Sequence, residues 1–166
     1  MAKTKEQKKE IVEKIESSLK AAPSAVFVRF NGISVAQESK MRRAMHADGV
    51  GYTVAKKTLI RRALDNLGYD HQNVPMDGEV AIAYNAGSAD PTMPANRVFT
   101  FGKEVGPEKL VILGGIFEGN FIDAASMSEI ATIPSLGVLR GKLVNLINSP
   151  LNRLAVVMDQ RAQKMQ

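Results

Sequence analysis

Lys56, Lys57, Arg61 and Arg62 crowd four cations into one short stretch. Their natural counterpart is a row of phosphates, since lysine and arginine that neutralise a nucleic-acid backbone release its counterions. The local pattern says how they are held. Val50, Tyr52 and Val54 alternate with smaller residues, as in a strand entering a sheet. Thr58 is then read as an N-cap, with Ile60, Ala63, Leu64 and Leu67 forming one helical stripe. Arg61 and Arg62 fall off that stripe and face solvent, while Lys56 and Lys57 lie in the turn before the helix. The positive end of a helix dipole disfavours cations by roughly 0.3–1 kcal/mol each at low salt. An arriving anion reverses every one of those signs, because backbone N–H groups and side chains then converge on it. The competing reading is a solvated charged face. On the preceding helix Lys40 and Arg43 share one side and Arg42 lies on another.

A second feature asks for a partner of a different kind. Leu136, Leu139, Leu143, Leu146 or Ile147, Leu151, Leu154 and Val157 or Met158 recur every three or four residues. Between Leu136 and Met158, 13 of 23 residues are apolar and none is acidic. Such a helix spans roughly 35–45 Å at 1.5 Å per residue, more than a small domain can cover. Pro150, after Asn148-Ser149, is expected to kink it into two pieces of similar spacing. Tandem docking segments for a repeated acidic partner fit this pattern. An anionic membrane surface and packing back onto the chain's own domain are the alternatives. A transmembrane span is disfavoured by Arg140, Lys142, Arg153, three Asn and the proline.

Catalytic chemistry finds little to work with. There is no cysteine among the 166 residues, which removes thiolate metal sites, disulfides and cysteine nucleophiles. The two histidines, His46 and His71, have no metal-ligand spacing around them. No nucleophile, base and orienting group stand out. An enzyme, a metal and a cofactor are therefore not expected. The first twenty residues mix Lys and Glu without an apolar run, unlike a secretory signal or transit peptide. Net charge is +5, distributed as +6 over residues 1–70, −5 over 71–134 and +4 over 135–166. Two basic ends around an acidic middle suggest two binding surfaces. Aromatics are only 5%, so recognition through phosphates and the shape of folded RNA is favoured over stacked single-stranded bases.

The elements that must position these residues follow in order. Thr4 to Gln7 fits a capping box, opening an amphipathic helix on Ile11, Ile15 and Leu19 that ends near Ala22-Pro23. Ser24 to Phe30 is a strand closed by Asn31-Gly32. Ser34 to Gln37 repeats the capping box and opens a helix to about Ala47, with Met41 and Met45 in the core. Beyond Leu67, Gly68 stops the helix and a polar loop runs to Gly78. Glu79 to Tyr84 is a strand, Asp90-Pro91 reads as N-cap and N1 of a helix to about Lys103, and Lys109 to Phe117 is another strand. Gly114-Gly115 within it lacks the spacing of a phosphate loop and reads as a bulge or a bend. Glu118-Gly119-Asn120 turns the chain into Phe121-Ile122, and Ala125 to Ile133 is a short helix ended by Pro134. The sum is a two-layer α+β domain with a mixed sheet over residues 1–125, a short helix and hinge over 126–134, and a long C-terminal helix over 135–166.

Three stretches resemble the family of bacterial large-subunit ribosomal protein ten, the base of the ribosomal stalk. They are Val54 to Leu64 with its Lys-Lys-Thr-Leu followed by arginines, Leu113 to Asn120 with the later Ile130 to Ser135, and the leucine-rich tail. The resemblance implies an alpha–beta plait of ferredoxin-like type docked on 23S ribosomal RNA at the GTPase-associated region, beside large-subunit protein eleven. It implies a C-terminal helix carrying two or three dimers of the acidic stalk protein, which recruit translational GTPases, and a cytoplasmic, ribosomal location without a membrane. Some members also repress their own messenger. Carried onto this chain, Lys56, Thr58, Arg61 and Arg62 become RNA-facing by motif, and Lys40, Arg42, Arg43 and Lys57 by charge. Lys57 stands where the family usually has Asn, exchanging a directional amide for a flexible charge. A basic peripheral-membrane protein or a regulatory RNA-binding protein is the alternative function.

Overall fold

The computed structural model of the chain describes residues 5–69, 78–87, 90–106 and 108–165. The first of two compact units runs from Met1 to Ile133 and the second from Pro134 to Gln166. In the first, the elements are α1 (Lys5–Ala21), β1 (Ser24–Phe30), α2 (Val35–Ala47), β2 (Val50–Ala55), α3 (Lys57–Leu67), β3 (Glu79–Asn85), α4 (Met93–Val105), β4 (Leu110–Phe117), β5 (Asn120–Asp123) and α5 (Ala124–Thr132). The second holds α6 (Leu136–Met165). The expected capping box at Thr4 and the loop carrying His71 lie outside the described residues.

The α+β class stands, with two differences from the sequence reading. The sheet order is β2-β3-β1-β4-β5, and every neighbouring pair is antiparallel rather than mixed. The reason lies in the connections. β1-α2-β2 and β3-α4-β4 each join two parallel strands, but neither pair sits side by side. The two units interleave, so β1 lies between β3 and β4 and each strand meets antiparallel neighbours. This is the strand order of the plait. The second difference is in the layers: helices cover both faces, making three layers instead of two. Val12, Ile15 and Leu19 of α1 with Ile60, Ala63 and Leu64 of α3 pack on Ala25, Phe27, Val80 and Ile82. Met41 and Met45 of α2, Val98 and Phe101 of α4, and Met127 of α5 pack on Val26, Val28 and Val50 of the opposite face. The strict alternation along β1 thus feeds two cores, which is why that strand is apolar on both sides.

Local chemistry sets most of the boundaries. The Ser34 side chain accepts from the Gln37 amide while Gln37 reaches back to the Ser34 N–H, the reciprocal cap that was expected. The Gly114-Gly115 pair forms a bulge: Phe27 faces Gly114 while Val28 faces Ile112, leaving Leu113 extra. Gly114 has φ +144, and a Cβ on Gly115 would fall on the Ala25 carbonyl and the Met127 methyl. α4 starts later than expected, because the Met93 N–H bonds to the Asp90 carbonyl in a turn and Pro94 takes the first helical turn.

Candidate nucleic-acid interface

The register brings four strand ends into one row. Phe30 faces both Glu79 and Leu110, and Ala55 faces Val80. The turns leading into α2 and α3 and out of Gly78 and Lys109 therefore share one end of the sheet, where the Asn31 N–H also bonds to the Lys109 carbonyl at 2.9 Å. α1 enters β1 through Ala22-Pro23 and so starts at this same end. Its Glu16 accepts a 2.7 Å hydrogen bond from Asn66 of α3, as two helices running side by side from a common start require. Three helices thus direct their positive ends the same way.

The mouths of α2 and α3 differ. α2 is closed by its own capping side chains. α3 is capped by Lys56, which is extended at φ −61 and ψ 134 and offers no side-chain bond. Thr58 is not the cap expected of it; it is the second helical residue, because the chain leaves β2 directly into the helix at Lys57. The Lys56 carbonyl accepts from Leu59 and Ile60, leaving the N–H groups of Lys57 and Thr58 without a partner among the described residues. The first turn holds no acidic residue. Lys56, Lys57, Thr58, Arg61 and Arg62 are all exposed, and none of the four cations has an ion pair among the described residues. Unbonded N–H groups and exposed cations thus lie together in the first two turns, an arrangement that suits an anion.

The three cations of α2 fare differently. α2 lies across the opposite face of the sheet from α3, so the eight residues do not form one patch. Lys40 pairs with Glu104 of α4 at 3.5 Å, and Arg42 with Glu38 at 2.6 Å. Arg42 also lies over the Tyr52 ring, 5.2 Å from its centroid. Arg43 alone of the three is exposed without an ion pair among the described residues. Burial, reinforced by the Glu38 carboxylate and opposed by Arg42, pushes the Tyr52 hydroxyl up to about 12. A phenol held protonated in the folded chain contributes stability that is full below its ordinary value near 10 and is lost as pH rises toward 12. Tyr52→Phe should therefore flatten that part of the alkaline unfolding curve, as chemical denaturation at pH 9 and pH 11 would reveal.

α6 is one continuous helix of 30 residues. Pro150 lies inside it, and the helix continues across the proline. Its missing N–H frees only the Leu146 carbonyl, which on an exposed helix stays available to water. All nine apolar positions read as docking residues are exposed, from 41% at Leu139 to 71% and 72% at Leu146 and Ile147. A period of eleven relates seven of them, Leu139 and Leu151 excepted. Leu136, Ile147 and Met158 are each followed six and seven residues later by a basic and an apolar residue: Lys142-Leu143, Arg153-Leu154 and Lys164-Met165. Eleven residues make just over three turns, so successive units return to nearly the same side. That repeat is legible in the sequence but hidden within the three-and-four spacing, since eleven is the sum of three such steps.

The profile of the Ribosomal protein L10 family matches residues 3–102. The chain is 35% identical to large ribosomal subunit protein uL10 of Rhodospirillum rubrum over 97% of its own length and 91% of the relative's. The chain belongs to the ribosomal protein L10 family. It is likewise 36% identical to uL10 of Clostridioides difficile, covering 99% of this chain and 96% of that one, and 32% identical to uL10 of Shouchella clausii over the same shares. Membership in the L10 family makes it a structural constituent of the large ribosomal subunit and not an enzyme. Among the described residues no three His, Cys, Asp or Glu side chains gather as a metal site, and no single helix is long and apolar enough to cross a membrane. His46 is exposed in the last turn of α2.

Proposed function

We propose that this L10-family chain is the adaptor at the base of the stalk in the cytoplasmic ribosome, docking 23S ribosomal RNA with its first unit and acidic stalk-protein dimers with its second. The open mouth of α3 carries the RNA half of this reading. Lys56, Lys57 and Thr58 meet a phosphate through backbone and side chain, and Arg61 and Arg62 reach the next phosphates along the strand. Arg43 lies on the other helical layer and is assigned a peripheral contact, while Lys40 and Arg42 act mainly within the fold. Large-subunit protein eleven is the neighbour at the same RNA region. A messenger leader folded into a similar shape would compete for the same surface, which gives a route to repression of its own synthesis.

The exposed stripe of α6 supports the protein half. Two units, 136–146 and 147–157, carry leucine and branched residues with a cation and no carboxylate. A third begins at Met158 but is poorer in apolar residues and contains Asp159, the one acidic residue of the tail. Net charge is +2 over the first unit and +1 over each of the other two, so an acidic partner suits all three and the loss of apolar residues sets the third apart. We assign two dimers, which bring translational GTPases to the subunit. Native mass spectrometry of the chain mixed with excess stalk protein should give one chain with four partner copies; a species with six would assign the third unit as a site. Binding of the chain to anionic vesicles, with no stalk-protein complex at all, would favour a membrane-surface role instead.

A further inference from the structure

Of the six arginines in the first unit, two have a carboxylate among the described residues, and of the other four only one is not fully exposed. Arg42 has Glu38 and Arg97 has Asp48 at 2.7 Å. Arg29 is the one not fully exposed. It is half-buried near the end of the central strand, and its side chain has no ion pair or hydrogen bond among the described residues. It pairs with Val80 and Val111, whose row continues to Ala55. Alternation from Ala25 and Phe27 puts Arg29 on the face covered by α1 and α3. Glu79 cannot serve it, since that residue pairs with Phe30 and belongs to the other face. Gly78 lies beside the arginine: its φ of +82 favours glycine, and a Cβ there would be in ordinary van der Waals contact with the Arg29 Cδ at 3.5 Å. A cation on the inward side of a strand is disfavoured unless something neutralises it. Ala55, in the same row of the sheet, immediately precedes Lys56.

We infer that Arg29 is a further RNA-binding residue, taking a backbone phosphate at the end of the sheet next to the one held at the α3 mouth. The inference rests on the RNA-docking reading above. A guanidinium suits this place better than an ammonium, because its planar fork spans two phosphate oxygens. The contact links β1 to the strand–helix turn through the RNA itself, so the bound nucleic acid replaces the missing carboxylate.

The test uses the full chain and a transcript of the GTPase-associated segment of 23S ribosomal RNA. Arg29→Gln should lower the salt slope of log affinity by about 0.9 and the affinity by roughly eightfold near 0.1 M salt, as one lost phosphate contact requires. Arg29→Lys should keep the slope. In the unaltered chain the RNA should protect Arg29 from phenylglyoxal, a readout that needs no variant to fold. An unchanged slope in Arg29→Gln, or no protection, while Arg61→Glu/Arg62→Glu still weakens binding, would overturn the role of Arg29 alone. If the Arg61/Arg62 variant also binds normally, the docking surface is wrong and Arg29 goes with it.

Discussion

Replacing Arg61 and Arg62 together by glutamate should cut affinity for the ribosomal RNA segment at least about sixtyfold near 0.1 M salt. Each phosphate contact on a duplex contributes about 0.9 to the log–log salt slope, so two contacts account for about 1.8 decades at that concentration. Reversal of sign adds repulsion to the loss. The slope itself should fall by about two units, which distinguishes lost phosphate contacts from a damaged fold. The fold should survive, because both side chains are exposed while the stripe that seats α3, Ile60, Ala63 and Leu64, is fully buried and untouched. Thermal unfolding should be unchanged or shifted slightly upward, since carboxylates in the N-terminal half of a helix are tolerated better than cations. Filter binding across a salt series and a melting curve measure both. Equal affinity and equal slope in variant and parent would remove the α3 mouth from the interface.

Ending the chain at Pro134 should abolish stalk-protein binding altogether and leave RNA affinity within about twofold. The first unit keeps its two cores, all five strands and α1 to α5, so no buried contact of the RNA surface depends on residues beyond the cut. The apolar side chains lost are solvent-exposed in the free chain, and their removal costs the fold nothing by burial. Titration calorimetry with the stalk protein should show no heat for the shortened chain and saturable binding for the full one. Retained stalk binding would place the docking surface on the first unit and leave the α6 stripe without a role.

Where local chemistry decides, the sequence was readable. The bounds of β1, the Ser34 cap, the core methionines Met41 and Met45 and the bulge at Gly114 all follow from spacing over a few residues. The cations at the α3 mouth were visible for the same reason, but the cap was misplaced by two residues. Thr58 has the right side chain, yet β2 ends at Ala55 and the helix starts as soon as the chain turns. Tertiary placement was hidden. Nothing in residues 35–47 or 57–67 says which face of a sheet each helix will cover, so Lys40 and Arg42 joined Arg61 and Arg62 on paper and are separated in space. The carboxylates of Glu104 and Glu38 then claim them. Arg29 was passed over inside an apolar strand, although a single charge in step with Ala25 and Phe27 was itself a signal.

The interleaving that places β1 between β3 and β4 has a consequence for how the molecule is made. Its central strand can find no neighbour until residue 79 and beyond has been synthesised, and it gains its second neighbour only when residues 110–117 follow. At about 5–20 residues per second, the nascent chain carries Ala25 to Val28 uncovered for several seconds. Loop closure over such separations is slow as well as late. Trigger-factor-type holdases should therefore engage this segment during synthesis, and a pause in translation placed between β1 and β3 should raise aggregation, whereas one placed after β4 should not.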